Sequence, residues 1–98
     1  EIKSISVFDG QFEILNTISS NIDIAAFTEI WNTKTEAKVQ VRINWSQGYK
    51  IDISGGSSNG RWLYYGGWVK LLTKSQSGLY QVKNQQQFES VLGITHKK

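Results

Sequence analysis

The chain has 98 residues, which suffice for one domain with a single modest core. Its 39% hydrophobic and 19% charged residues are typical of a globular protein and argue against disorder. There is no Cys, which excludes disulfides, a thiolate nucleophile and a Cys-ligated zinc site. The net charge of +3 is scattered, and Lys97 and Lys98 alone supply two positive charges, so it indicates nucleic-acid binding only weakly.

The beginning of the chain bears on its cellular location. The sequence holds no Met and starts at Glu1, so either a leader was removed or the boundary is artificial. Of these we favour a processed, exported protein. No apolar run approaches the roughly 20 residues of a membrane-spanning helix, so we expect no transmembrane segment.

The first predicted element is a β-hairpin about Asp9-Gly10, a dipeptide typical of two-residue turns. Folding the chain there places Ile5 opposite Ile14, so that apolar side chains meet on one face. The alternative is a short helix that begins at Asp9. We favour the hairpin because its register pairs apolar with apolar and polar with polar residues.

A helix is predicted from residue 22 to about residue 35. Its N-cap is either Asp23 or Ser20, since both side chains can accept a backbone N–H hydrogen bond. Apolar residues recur at helical spacing and form a broad stripe for burial. The stripe consists of Ile22, Ala26, Phe27, Ile30 and Trp31.

Alternation is clearest from residue 38 to residue 54, where a hairpin centred on Gln47 is predicted. Folding the chain there places Arg42 opposite Asp52 as a favourable cross-strand ion pair. The opposite face of this hairpin collects apolar side chains. We expect Val41, Ile43, Ile51 and Ile53 to be buried together.

Residues 55 to 60 are Gly- and Ser-rich, which indicates a flexible loop. Their glycine spacing matches the start of a phosphate-binding loop, but Arg61 and Trp62 follow where Lys and Ser or Thr are needed, so we interpret them as a plain loop. The next hairpin turns at Gly66-Gly67. Its register pairs Trp62 with Leu71, Leu63 with Lys70, Tyr64 with Val69 and Tyr65 with Trp68.

A last strand is predicted at residues 79–83, followed by a helix that Asn84 caps, with Gln87 in the capping-box position. Phe88, Val91 and Leu92 form its buried stripe, and Gly93 ends it in a left-handed conformation. Residues 95–98 are expected to be a frayed tail. We therefore predict one α+β domain over residues 1–98, a single antiparallel β-sheet built of hairpins with two helices packed on one face.

Catalytic and metal-binding chemistry find little support. The only imidazole is His96, in the expected tail, where nothing would hold a general base in position. Asp9, Asp23 and Asp52 are explained by a turn, a cap and an ion pair, and the glutamates form no close pair. We expect no enzyme activity, no cofactor and no metal site.

Four aromatic residues within seven positions mark the best candidate site. Trp62 and Tyr64 face the predicted core, whereas Tyr65 and Trp68 share the opposite face. Aromatic rings beside cations suit a protein anchor, a sugar ring or a nucleobase. The candidate binding residues are Tyr65, Trp68, Arg61 and Lys70. The alternative is that both rings merely pack under a loop.

A family resemblance bears on the cellular location of the chain. The segments YKIDI (residues 49–53), GRWLY (60–64) and LYQV (79–82), with FTEIW (27–31) before them, resemble small uncharacterised bacterial envelope or lipoprotein domains. The resemblance implies export to the periplasm or cell envelope and implies little about activity.

Our first interpretation is therefore a non-catalytic binding module with a protein partner. The first alternative is a carbohydrate or cell-wall binding module that uses Tyr65 and Trp68. The second is a nucleic-acid-binding domain whose cations are Arg61, Lys70, Arg42 and Lys50.

Overall fold

The structure, a computed structural model, describes residues 2–37, 43–72 and 79–94. It confirms the predicted α+β class: one antiparallel sheet in the order β2-β1-β4-β5-β6-β7-β3, and two α-helices. No helix in the described part of the chain is long and apolar enough to cross a membrane. The elements are β1 (Ser4–Phe8), β2 (Ile14–Ile18), α1 (Asn21–Trp31), β3 (Thr35–Glu36), β4 (Tyr49–Ser54), β5 (Gly60–Tyr65), β6 (Trp68–Leu71), β7 (Leu79–Gln81) and α2 (Gln85–Leu92), with a 3₁₀ turn at Trp45–Gln47.

Both helices pack on one face of the sheet, where aromatic rings fill the space between the layers. Trp31 of α1 meets Trp62 of β5 edge-on, with ring centroids 4.8 Å apart. Phe88 of α2 lies 5.3 Å from Tyr64. Each large apolar side chain buried in this way stabilises the fold by about 1.5–3 kcal/mol. The sheet contributes Ile5, Val7, Ile18, Ile51, Ile53, Trp62, Tyr64 and Val69 to this core.

The opposite face, called the open face below, carries the intervening residues of the central strands. No described helix or strand covers it, and none of its side chains is fully buried. It consists of Ser6, Phe8, Lys50, Asp52, Arg61, Leu63, Tyr65, Trp68, Lys70 and Leu72.

The first hairpin is confirmed, but its predicted register is wrong. The carboxylate of Asp9 accepts hydrogen bonds from the backbone N–H groups of Gln11 and Glu13, both at 2.9 Å. This side-chain acceptor stabilises a loop wider than two residues. Ile5 therefore lies opposite Ile18 rather than Ile14.

Helix α1 is confirmed but is shorter than predicted. Of the two candidate caps, Ser20 caps it, because its Oγ accepts the N–H of Asp23 at 3.2 Å. The helix ends at Trp31, where the N–H and hydroxyl of Thr33 both bind the carbonyl of Ile30. Ile22 lies in the first turn and is 82% exposed, so its predicted burial is wrong.

The hairpin predicted about Gln47 is wrong, because β4 pairs with β1 on one side and with β5 on the other. Asp52 consequently lies between Ser6 and Arg61 and forms its ion pair with Arg61. Where the first arm of the hairpin should end, the chain makes the Trp45–Gln47 turn.

The alternation of β4 was nevertheless interpreted correctly. Ile51 and Ile53 are buried, but they pack beside Val7 and Ile5 of β1 rather than beside the preceding segment. Ile43 precedes the 3₁₀ turn and is not in a strand. Val41 and Arg42 lie outside the described residues.

The β5–β6 hairpin is confirmed in all four predicted pairs from Trp62 to Trp68. Gly66 and Gly67 have φ angles of 52° and 95°, which a type I′ turn requires and which glycine adopts without strain. The predicted loop before β5 is also present. Its Ser58 accepts hydrogen bonds from both indoles of the core, Trp31 Nε1 on Oγ and Trp62 Nε1 on the backbone carbonyl, at 2.9 Å each.

The C-terminal helix begins and ends as predicted. Asn84 accepts the N–H of Gln87 at 3.0 Å, and Gly93 adopts a left-handed φ of 81°. Asn16 of β2 donates a hydrogen bond to the carbonyl of Leu92, so the sheet edge satisfies the end of α2. The predicted tail with His96 lies outside the described residues.

Candidate binding site on the open face of the sheet

The centre of the candidate site is the cross-strand pair of Tyr65 and Trp68. The Gly66-Gly67 turn places these two residues opposite each other at the end of the β5–β6 hairpin. Tyr65 is 39% exposed and Trp68 is half-buried, whereas Trp62 and Tyr64 lie in the core. The structure therefore places both residues opposite each other on the open face, where sequence reasoning expected them.

A second row crosses the open face next to this pair. Phe8, Lys50, Leu63 and Lys70 follow one another across β1, β4, β5 and β6. Facing residues on adjacent strands have Cβ atoms about 5 Å apart, so Leu63 is an apolar residue flanked by two lysines. Within the described parts of the chain, Lys70 has no carboxylate within ion-pair distance.

The third row contains the ion pair of Arg61 and Asp52. Arg61 Nε lies 2.6 Å from Oδ1, and Nη2 lies 2.8 Å from Oδ2, which is the bidentate geometry that suits a guanidinium. The hydrogen bond to Asp52 raises the pKa of Arg61 above its ordinary value. With side chains 39% and 33% exposed, the pair contributes modestly to stability and holds the guanidinium in a fixed orientation.

Phe12 is the part of this surface that sequence analysis missed. It lies in the β1–β2 loop with a left-handed φ of 65°, and its ring lies beside two cations of the open face. The ring centroid is 4.6 Å from Nζ of Lys50 and 4.8 Å from Cζ of Arg61. Such cation–π contacts orient both cations. No local motif predicts this contact, because the pairing of β1 with β4 creates it.

A shallow depression of about 490 Å³ lies at one end of the open face. Its walls carry hydroxyl and amide groups next to the Arg61–Asp52 pair, and Leu72 adds an apolar patch. Such a mixture can form several hydrogen bonds with a polar ligand. The polar residues that line it include Ser4, Ser6, Ser54 and Asn59.

The open face has a net positive charge. Among its described residues, Lys50, Arg61 and Lys70 oppose the single carboxylate of Asp52, so three positive charges and one negative charge leave +2. Arg61 is paired with Asp52, and Lys50 also reaches the carbonyl of Gly10 at 3.5 Å. Lys70 is therefore the cation most available to an approaching ligand.

Sequence analysis also missed a buried polar cluster between β5 and α2. Glu89 is 7% exposed and accepts the hydroxyl of Tyr64 at 2.6 Å and the amide of Gln85 at 3.1 Å. Burial raises the pKa of Tyr64 well above its usual range, and the hydrogen bond to Glu89 adds to the shift. Charged residues are rarely buried unless they are paired, and the sequence pattern does not show that Glu89 has a partner. Its burial could therefore not be predicted from its place after Phe88.

A lysine, Lys34, lies among three aromatic rings at the margin of the core. Nζ of Lys34 lies 4.2 Å from the ring centroid of Trp31, 5.4 Å from that of Tyr80 and 5.7 Å from that of Trp62. Burial lowers the pKa of Lys34. The attraction of the rings for a cation opposes this desolvation and keeps the ammonium at the margin of the core.

The remaining sequence candidates have separate outcomes. Lys50 lies on the open face as described, whereas Arg42 and His96 lie outside the described residues. In residues 2–37, 43–72 and 79–94, no three potential metal ligands among His, Asp and Glu side chains lie together. Comparisons with protein-family models, curated proteins and solved structures give no match. Arguments about function therefore depend on the chemistry of the open face.

Proposed function

We propose that this chain is a non-catalytic binding module that docks an acidic protein surface on its open face. The observation that carries the proposal is the Tyr65–Trp68 pair, which lies on a sheet face that no described element covers. Aromatic side chains are the commonest anchors of protein interfaces, because they bury a large area with few rotatable bonds.

The charge of the open face supports an acidic partner. Lys70 flanks the aromatic pair, and the excess of two positive charges attracts carboxylates during the first encounter. Leu63, between the two lysines, adds apolar area that a protein surface can cover. An aromatic and aliphatic centre with a polar rim is the usual composition of a protein–protein interface.

The cations of the open face argue against nucleic acid as the ligand. A phosphate backbone is bound through many cations, and each phosphate contact adds to the salt dependence of binding. On the open face Arg61 is neutralised by Asp52, and Lys50 is held between Gly10 and Phe12. Among the described residues of the open face this leaves Lys70, and one lysine is too little for a strand of phosphates.

A glycan is the second candidate, and the depression beside Arg61 and Asp52 favours it. Its hydroxyl groups and its bidentate ion pair resemble the donors and acceptors that hold sugar hydroxyls. Binding to an uncharged glycan would depend little on salt, because such a ligand has no charge for salt to screen. Binding to an acidic protein would weaken as salt screens the charges.

The proposal includes a location. The family resemblance of the β4, β5 and β7 segments implies the periplasm or cell envelope of a bacterium. Fractionation of the source cells, followed by detection of the chain, tests this part independently of any binding measurement. Recovery in the cytoplasmic fraction alone would contradict it.

The binding experiment uses immobilised wild-type chain and an extract of the source cells. A protein that is retained by the wild type and not by Trp68→Ala is purified and titrated by calorimetry. We expect Trp68→Ala to weaken its affinity about 30-fold, equivalent to about 2 kcal/mol. Lys70→Glu should weaken binding and reduce its salt dependence.

The control and the competing ligands decide the interpretation. Ile22→Ala changes an exposed apolar residue on α1, away from the open face, and should leave the affinity unchanged. Titrations with single-stranded oligothymidine and with peptidoglycan fragments test the other two ligand classes. Tight binding of either ligand that Trp68→Ala abolishes would replace the acidic protein as the partner.

A further inference from the structure

The outer edge of β2 is the least protected part of the sheet. In residues 2–37, 43–72 and 79–94, no strand pairs with this edge. Its sequence, Ile14–Ile18, contains neither a charge nor a proline. Exposed edges present unpaired backbone N–H and C=O groups, and proteins usually protect them with lysine, proline or a very short strand.

Exposed apolar side chains accompany these backbone groups. Ile14 is 59% exposed and Leu15 is 46% exposed. The register of β1 and β2 shifts so that Leu15 is the extra residue of a bulge, whereas Asn16 to Ile18 pair regularly with β1. The edge thus combines a regular stretch that can accept a strand with apolar area that a partner can bury.

The other edge of the sheet is protected, and the contrast is informative. Strand β3 has two residues, of which Glu36 is charged, and Lys34 directly precedes it. A very short strand with flanking charges discourages pairing with another chain. Strand β2 has a charge before it at Glu13 and a bulge at Leu15, but its regular stretch from Asn16 to Ile18 stays open to pairing, whereas β3 is too short to offer one.

We infer that β2 pairs with β2 of a second copy of this chain, antiparallel, about a two-fold axis perpendicular to the sheet. A second copy is the occupant the edge fits best, because it presents a strand of the same length that is also uncharged and that no described strand pairs. A two-fold interface is self-complementary, so one contact satisfies both edges and leaves no growing end.

The geometry predicts a weak dimer with a functional consequence. A contact made by one short strand and a few apolar side chains buries less than the roughly 1,000 Å² typical of stable interfaces, so we expect micromolar association. An axis perpendicular to the sheet keeps both open faces on the same side. If the proposed function holds, two Trp68 anchors then face one partner and increase its apparent affinity. The dimer itself does not depend on that function.

Sedimentation velocity of the full chain tests the inference, from about 5 to about 500 µM. We expect the mass to rise from 11.1 kDa towards twice that value with concentration. Leu15→Lys places a charge at the edge and should weaken the dimer at least about 10-fold. Ile22→Lys is the matched control, since it places the same charge on an exposed residue of α1. A wild type that stays at 11.1 kDa throughout overturns the inference, as does equal weakening by both variants.

Hydrogen exchange of the wild-type chain tests the same pairing without any variant that could fail to fold. With wild-type chain, raising the concentration should slow exchange at those backbone amides of Asn16 to Ile18 that point away from β1, and it should leave exchange at β3 unchanged. Thr17→Lys is a second edge variant, and circular dichroism verifies its fold before sedimentation. Protection that appears equally at β3 and β2, or at neither, contradicts pairing through β2.

Discussion

The hydroxyl of Tyr64 donates a 2.6 Å hydrogen bond to Oε2 of Glu89 and thereby joins the middle of the sheet to α2. Gln85 donates to the same oxygen, so the carboxylate accepts from both layers of the fold. A charge-assisted bond of this kind in a buried position holds the helix in one orientation over the core. The opposite side of the same strand carries Tyr65, so this bond also steadies the candidate site.

This bond predicts how stability changes at high pH. Because the pKa of Tyr64 is raised in the folded state, the unfolded chain loses this proton first, near pH 10. The stabilisation from Tyr64 is complete below that pH and is lost as pH rises towards the folded pKa. The difference in unfolding free energy between wild type and Tyr64→Phe should therefore shrink from about pH 10 upwards, as measured by urea denaturation. A difference that grows with pH would contradict the assignment, and Tyr65→Phe is the exposed control.

The two tryptophans of the β5–β6 hairpin should differ in their effect on stability. Trp62 is buried against Trp31 and hydrogen-bonded to Ser58, so Trp62→Ala should cost about 3–5 kcal/mol. Trp68 lies on the open face, and Trp68→Ala should cost clearly less. Urea denaturation of both variants measures the difference. Equal losses would show that Trp68 serves packing, and the proposed anchor would have no basis.

Asp52→Asn separates the structural role of the ion pair from the charge of the open face. The loss of this partly exposed pair should lower the unfolding free energy by at most about 1 kcal/mol. It also releases the positive charge of Arg61, so binding of an acidic partner should strengthen. Calorimetric titration of the partner measures this effect, with Asp23→Asn, on α1, as the control for a lost carboxylate. Weaker binding by Asp52→Asn alone would assign the carboxylate to the ligand contact, as a glycan site requires.

The turn that positions Tyr65 and Trp68 provides a test of backbone conformation. Gly66 has a φ of 52° and no other atom near its Cα substituent position, and Asn is favoured at the first position of a type I′ turn. Gly66→Asn should raise the unfolding free energy by up to about 1 kcal/mol. Gly67→Asn, at a φ of 95°, should lower it. Thermal unfolding of the pair measures both signs, and the reverse order would contradict the turn assignment.

The features predictable from sequence are those that local chemistry determines. The Gly66-Gly67 turn sets the register of its own hairpin, so the opposition of Tyr65 and Trp68 follows from neighbouring residues. Alternation likewise predicts that Ile51 and Ile53 face the core. It cannot name the partner strand, because β1 has an equally good pattern and lies more than 40 residues away in the chain.

The unpredicted features of the site depend on that long-range pairing. Phe12 reaches Lys50 and Arg61 only because β1 lies beside β4. The same pairing explains why Arg61 is the partner of Asp52. Both edges of β4 are occupied, by β1 and by β5, so the segment before β4 cannot pair with it. The chemistry of individual residues could thus be inferred from the sequence, whereas their neighbours in the folded protein could not.

The central claim is that the open face binds an acidic protein. A photoreactive benzoylphenylalanine in place of Tyr65 tests it most directly, with the same substitution at Ile22 as the control, in irradiated cells of the source organism. We predict one dominant adduct from position 65, with a protein whose docking surface is acidic, and its loss when Trp68→Ala is added to the same chain. Identical adducts from both positions, or an adduct that Trp68→Ala leaves unchanged, would contradict the claim.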